Sequence, residues 1–457
     1  GGNEMNLDEI LDQVPAYEEF MTVAELNASS AKLADEYDAV TLVSIGKSGE
    51  GRPIDYLKIG EGTKDALLFA FPHPNEPIGS MTIEFFSRFL AENPEVTRNL
   101  DYTWYLIKAI DPDGAALNEG WFKGTFDPVK YARNFYRPAP HEQIEWTFPV
   151  TYEKLHFSSP PPETQALMKV IEEIKPSFMF SLHNAGFCGV YYYVTHRIET
   201  MFPEFISLVE KTMLPIHRGE PEAPYIQQLH PAIFQMFGIQ ETYDFYRNNG
   251  VENPQDLINC GTSSDDYLRR ITNGKGFTLV CEMPYFYDRI LGDHSESEFD
   301  RREKVLENYA FAQEAHAFIQ PKFETIRKYC DPKSRLYTTV ADGVDNFEKR
   351  LAPMIHNAKT SPMYDGKATK AQAFDSMVAN RFYYVLRPAM TARLCKRAAS
   401  DHPEHRTTFY HLHDEIDSWV ADTVTSTLKD TNFEVNPIQK LVQVQVGSAL
   451  IAIQHLS

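Results

Sequence analysis

Three short apolar runs, far apart in the chain, each stop on a side chain that binds metals or moves protons. Ala66 to Phe71 leads into Pro72-His73-Pro74-Asn75-Glu76-Pro77, Pro176 to Leu182 into His183-Asn184, and Gly276 to Cys281 into Glu282-Met283-Pro284. Apolar runs of this length, bounded by turn residues, read as buried strands. From about Ile78 to Leu90 the apolar spacing becomes helical, so His73 and Glu76 sit where a strand hands over to a helix. In open α/β sheets ligands bind outside the carboxyl ends of the strands. The pattern therefore predicts an α/β fold with its working edge at residues 73–76, 183 and 282.

Imidazole nitrogen and carboxylate oxygen are good donors for zinc. A lone His-x-x-Glu is common, and a lone strand-end His or Glu is ordinarily a turn, core or capping residue. All three in order, each ending an apolar strand, form a stronger signal. The set implied is one zinc per chain held by His73, Glu76 and His183, with a fourth position open for water and Glu282 as the base. Zinc lowers the pKa of bound water to near 7, and a carboxylate in hydrogen-bond reach then makes it a nucleophile.

Around these residues the chain resembles the zinc metallocarboxypeptidases of the carboxypeptidase A type, over about residues 16 to 320. Gly46-Lys47-Ser48-Gly49-Glu50-Gly51-Arg52-Pro53-Ile54 is similar to that family's strand–turn–strand opening. Asp111-Pro112-Asp113-Gly114 is similar to its Asn-Pro-Asp-Gly turn, and Ala132-Arg133-Asn134-Phe135 to its Asn-Arg-Asn-aromatic segment. Val190 to Val194 matches the strand after the third ligand. The resemblance implies a mixed, mostly parallel central sheet flanked by helices, and a peptide substrate with a free C-terminal carboxylate. It makes His73, Glu76 and His183 the zinc ligands and Glu282 the general base and acid. Arg133, with Asn134 beside it, would hold the terminal carboxylate through a charge-assisted fork. Lys123 stands where relatives place the Arg that stabilises the oxyanion. In the segment Cys260 to Tyr267, Asp265 falls in the loop lining the side-chain pocket, which implies a preference for basic C-terminal residues; Ser263 to Asp265 also reads as a helix cap. The chain departs from the family pattern at Ala132, where Asn is usual, and at Lys130, where an acid usually orients the first zinc His.

The chain has 457 residues and a net charge of −20, which disfavours nucleic acid and anionic membranes as partners. No apolar run approaches a bilayer span. Five cysteines at wide spacings argue against a disulfide scaffold and mildly for a reducing, cytoplasmic compartment; Gly1-Gly2 leaves a trimmed leader open. The expected division is a catalytic domain over 1–320 and a helical region of unknown role over 321–457. Helices are expected over Val340 to Asn357, Lys370 to Ala399, Thr408 to Leu428 and Ile438 to Leu456. The stripe Phe382, Leu386, Met390 and Leu394 suits a core or a subunit contact, so self-association through this region is a further expectation. Two other readings stand beside peptide hydrolysis: a zinc amidohydrolase such as an N-acyl amino acid deacylase, and a non-catalytic binding or scaffold protein.

Overall fold

A computed structural model describes residues 5–456. Among these, nine strands form one mixed sheet. They are β1 (Val40–Lys47), β2 (Pro53–Ile59), β3 (Lys64–Phe69), β4 (Tyr102–Ile107), β5 (Phe178–Ser181), β6 (Tyr191–Val194), β7 (Gln228–His230), β8 (Ile233–Gln235) and β9 (Phe277–Glu282). Across the sheet the order is β1-β2-β4-β3-β5-β9-β6-β8-β7. The centre, β4-β3-β5-β9, is parallel, while β2 and β6 run against it on either side. Phe69 lies opposite Ser181, and Leu279 opposite Phe180, so β3 and β5 end at one level and β9 runs two residues further, to Glu282.

The continuous apolar character of these strands follows from burial on both faces. Leu67 and Phe69 pack on one side, with Leu167, Val170 and Ile171 of a helix over Pro162–Ile174. Ala66 and Leu68 join the larger core on the other side. The helices that bear on the site are α1 (Ile78–Glu92), α2 (Pro128–Asn134), α3 (Ser264–Thr272), α4 (Arg301–Ile326), α5 (Arg335–Thr360), α6 (Leu386–Asp401), α7 (Arg406–Leu428) and α8 (Ile438–Gln454).

The helical region is built into the sheet's core. Helix α8 is apolar nearly all round and buried, as a helix of that composition must be. It lies on α1, where Thr82 Oγ1 donates to Gln445 Oε1 at 2.6 Å. Arg335 at the start of α5 makes a bidentate pair with Asp111, at 2.8 and 2.9 Å. The division expected at 320/321 falls inside α4. The stripe Phe382, Leu386, Met390 and Leu394 belongs to the main core, so it is spent within the chain and leaves no apolar seam there for self-association.

Two of the sequence segments noted above meet in space. Asp113 accepts from Ser48 Oγ at 2.7 Å, Glu50 N at 2.9 Å and Arg52 Nη1 at 2.8 Å. Gly114, in the same turn, packs against the loop that carries His73. A Cβ there would fall 2.6 Å from Pro74 Cβ and 2.5 Å from Asp111 Oδ2, so only glycine fits.

Candidate metal centre

Between β3 and His73 the chain passes through Phe71, a fully buried residue at φ +59°. A bulky residue holds that conformation only where its surroundings over-determine it, and such strain collects at functional sites. Beyond it, His73 Nδ1 lies 2.7 Å from Glu76 Oε2, and His183 Nδ1 lies 3.0 Å from Glu76 Oε1. The three donor atoms all fall within 4.8 Å of one another.

The other imidazole nitrogens face outward. His73 Nε2 is 2.9 Å from the Glu145 carbonyl, and His183 Nε2 is 2.8 Å from Ser181 Oγ. Ser181 Oγ in turn donates to Glu145 Oε2 at 3.1 Å, and Ser264 donates to the same carboxylate through N and Oγ, both at 2.7 Å. Glu145 thus stands behind both histidines. Its carbonyl, and its carboxylate through Ser181, offer acceptors to a proton on each Nε2, the tautomer in which both Nδ1 atoms can ligate, while Arg137 Nη2, a donor, also lies 3.1 Å from His73 Nε2. In that tautomer two imidazole lone pairs and a carboxylate converge on one place. That set of acceptors fits a zinc dication.

Electrostatics agree. Burial lowers the His73 pKa to about 4, with Arg137 adding to the effect and Glu76 opposing it, so the ring is neutral and able to ligate at pH 7. Burial pushes the Glu76 carboxyl up, but His73 and His183 outweigh it and hold the group below the usual range. Glu282, at the end of β9, is buried. Burial first, then Glu76 and Glu222, raise its pKa well above the ordinary carboxylate value, with Arg137 opposing. A dication beside it would draw that value down again.

Glu282, His73 and Glu76 line one cavity of about 430 Å³. Its far wall is the helical region: Tyr309 of α4, Met354 of α5, and Tyr364, Asp375 and Tyr383 beyond it. The cavity also contains Asn75 and Asn184, whose Oδ1 and Nδ2 have no protein partner and are available to a polar ligand.

The structure brings His73, Glu76, His183 and Glu282 together and leaves the other sequence candidates elsewhere. Arg133 forks onto Asp417 of α7 at 2.9 and 3.1 Å, because α6 and α7 cover the face of α2 that carries it. Asn134 donates to the Lys130 carbonyl at 2.9 Å within α2. Lys123 points to the opposite side and pairs with Glu25 at 2.7 Å, since its neighbour Phe122 occupies the core. Asp265 is fully buried, accepting from Thr195 Oγ1 at 2.6 Å and Arg269 Nε at 2.9 Å. Ser263 caps α3, as its position suggested, by accepting from Asp266 N. With Asp265 consumed internally, the expected preference for basic C-terminal residues loses the residue that carried it.

The arginine in the cleft is Arg137, four residues beyond Arg133 and past the end of α2. Its Nη1 is 3.7 Å from Glu76 Oε2, and its Nε donates to Gln143 Oε1 at 3.1 Å. The repeat of Arg within one segment was the available signal. Glu145 carried none, being one acid among many. Gln445 carried a weak one, as one of four glutamines, with Gln439, Gln443 and Gln454, in a mostly apolar helix. Its Nε2 donates to the His183 carbonyl at 2.9 Å and ties that candidate ligand to α8. The histidines of residues 402–413 form no metal-binding group among the described residues; His402 Nε2 faces the Tyr329 carbonyl at 3.0 Å.

A sequence model of the zinc carboxypeptidase family matches residues 26–277. No curated protein matches the chain in sequence. Among solved structures the chain is similar to the carboxypeptidase A of Helicoverpa armigera, with 14% identity, 61% of this chain and 70% of that one covered, and a TM-score of 0.39. It is similar to the metallo-carboxypeptidase of Burkholderia cenocepacia, with 18% identity, 59% and 61% covered, and a TM-score of 0.36. It is also similar to the bovine thrombin-activatable fibrinolysis inhibitor, with 15% identity, 58% and 87% covered, and a TM-score of 0.36.

Proposed function

The chain belongs to the zinc carboxypeptidase family, and on that premise we propose that it removes the C-terminal residue of a peptide at the His73–Glu76–His183 centre. One observation carries the site assignment: both Nδ1 atoms and the Glu76 carboxylate point at one place beside the buried carboxyl of Glu282. Zinc, held by those three side chains, supplies Lewis acidity that makes water nucleophilic near neutral pH and polarises a carbonyl. Glu282 takes the proton from the attacking water and returns it to the departing amine nitrogen. Burial raises the pKa of this carboxyl and a bound dication would lower it, so the two effects oppose at the group that exchanges the proton.

Arg137 takes the role that sequence reasoning gave to Arg133. Only this guanidinium of the two lines the cavity, and it is placed to hold the substrate's terminal carboxylate. Asn184 Nδ2 and Asn75 Oδ1 meet the peptide's own polar groups. Tyrosines of the helical region form one wall of the space that the reacting bond would occupy. The test is a screen of peptides that differ only in their last residue, read by mass spectrometry with zinc-loaded protein. Loss of single C-terminal residues supports the reading. Internal cuts, or no cleavage with zinc bound, count against it.

A further inference from the structure

We infer that the helical region builds a second subsite next to the zinc cleft, one that takes a carboxylate of the substrate distant from the scissile bond. This rests on the hydrolytic reading above for the identity of the ligand as substrate. The subsite is a cavity of about 510 Å³ between α4, α5, α6 and the segment around Pro138. It shares Asn75, Arg137, Tyr309, Met354, Tyr383 and Tyr384 with the zinc cavity, so one extended molecule can occupy both.

Its charge is unbalanced. Arg350 and Asp342 form a bidentate pair at 2.7 and 3.1 Å, and Asn259 also donates to Asp342 at 2.8 Å. Arg387 lines the same cavity, and among the described residues no carboxylate lies within ion-pairing distance of its guanidinium. Burial and the Arg350 charge lower its pKa, with Asp342 and Tyr384 opposing. Burial and the Arg387 charge likewise lower the pKa of His316 on the same wall, with Glu348 opposing, and an imidazole supplies no anion in either of its states. A cationic cavity inside a chain of net charge −20 is not a consequence of composition.

The seat for Arg387 is also built. Its guanidinium lies on Gly343 in the interior of α5, where a Cβ would fall 2.1 Å from Nε and 2.5 Å from Cζ. Glycine is unfavourable inside a helix, and here its missing side chain is the space the cation fills. Ile319, Leu351 and Leu386 are among the apolar side chains of the wall, which suits an apolar body between the reacting bond and the anion. A fork lining an open cavity matches a carboxylate in a bidentate pair.

The experiment uses zinc-loaded Glu282→Gln protein, which binds without rapid turnover. It is titrated calorimetrically with tripeptide pairs differing only in Glu or Gln at one position. Glu is expected to bind about tenfold or more tighter at one position, the scale of a charge-assisted pair. Adding Arg387→Met should abolish that difference and leave the Gln peptide's affinity unchanged. Arg387→Lys should keep part of it, and Gly343→Ala should reduce it by displacing the guanidinium. Equal binding of every pair, or a preference that survives Arg387→Met, overturns the subsite. If acetate alone raises the melting temperature through Arg387 while no peptide pair is distinguished, the ligand is a free anion and the substrate assignment falls. Failure of wild-type protein to release residues would sink the hydrolytic reading, while the Glu/Gln comparison would still read the subsite.

Discussion

Arg133 and Arg137 are four residues apart and differ in everything that matters to the site. Both side chains are about half-exposed, but one is spent on Asp417 and the other lines the cavity of the candidate metal centre. Arg137→Ala should therefore lower kcat/KM on the order of 10–100-fold, the scale of one charge-assisted fork, while Arg133→Ala leaves it within error. Steady-state kinetics of the two variants on one peptide checks this; equal losses would return Arg133 to the site. Glu282→Gln keeps shape but cannot accept the water's proton. Turnover should fall on the order of 10²–10⁴-fold with zinc content unchanged, by activity assay and metal analysis of one sample. His183→Ala should lose the metal on dialysis; a variant that keeps full zinc would remove His183 from the ligand set.

Elements were legible where the pattern is local. Ala66 to Phe71 and Gly276 to Cys281 read as buried strands because each faces two packed layers, and they appear as β3 and β9. The last helix was expected over Ile438 to Leu456 and spans Ile438–Gln454. The three candidate ligands, which the structure brings together, stood out because strand ends carried them. The outer partners did not, because they arise from contacts between distant segments. Glu145 reaches both histidines across a loop, and Gln445 reaches His183 from α8. Which arginine enters the cleft depends on where α2 ends and on α7 covering its face, and neither is written in the local segment. Gln445 carries a prediction at this scale. Gln445→Leu leaves the Thr82 hydroxyl and the His183 carbonyl buried without partners. It should cost about 1–3 kcal/mol of stability and weaken zinc on the order of tenfold. Thermal melts with and without zinc read both effects; an unchanged melt would make the contact incidental.

For the whole molecule, sheet and helical region form one unit around one cleft. Helix α8 buries its surface on α1, and α4 to α6 roof the zinc cavity. A chain ending at residue 320 should show no cooperative thermal transition, because it would expose the core face of α1 and cut α4. A well-folded, active 1–320 fragment would refute that unity. Chelation should lower the melting temperature of the full chain, since a metal that binds only the folded state adds its binding energy to stability. The most direct measurement pairs two peptides identical except for a free or an amidated C-terminus, incubated with zinc-loaded protein and followed by mass spectrometry. Single-residue loss from the free-ended peptide only, abolished in Glu282→Gln at full zinc occupancy, is the predicted result. Equal cleavage of the amidated peptide, or unchanged cleavage by Glu282→Gln, would contradict carboxypeptidase action at this centre.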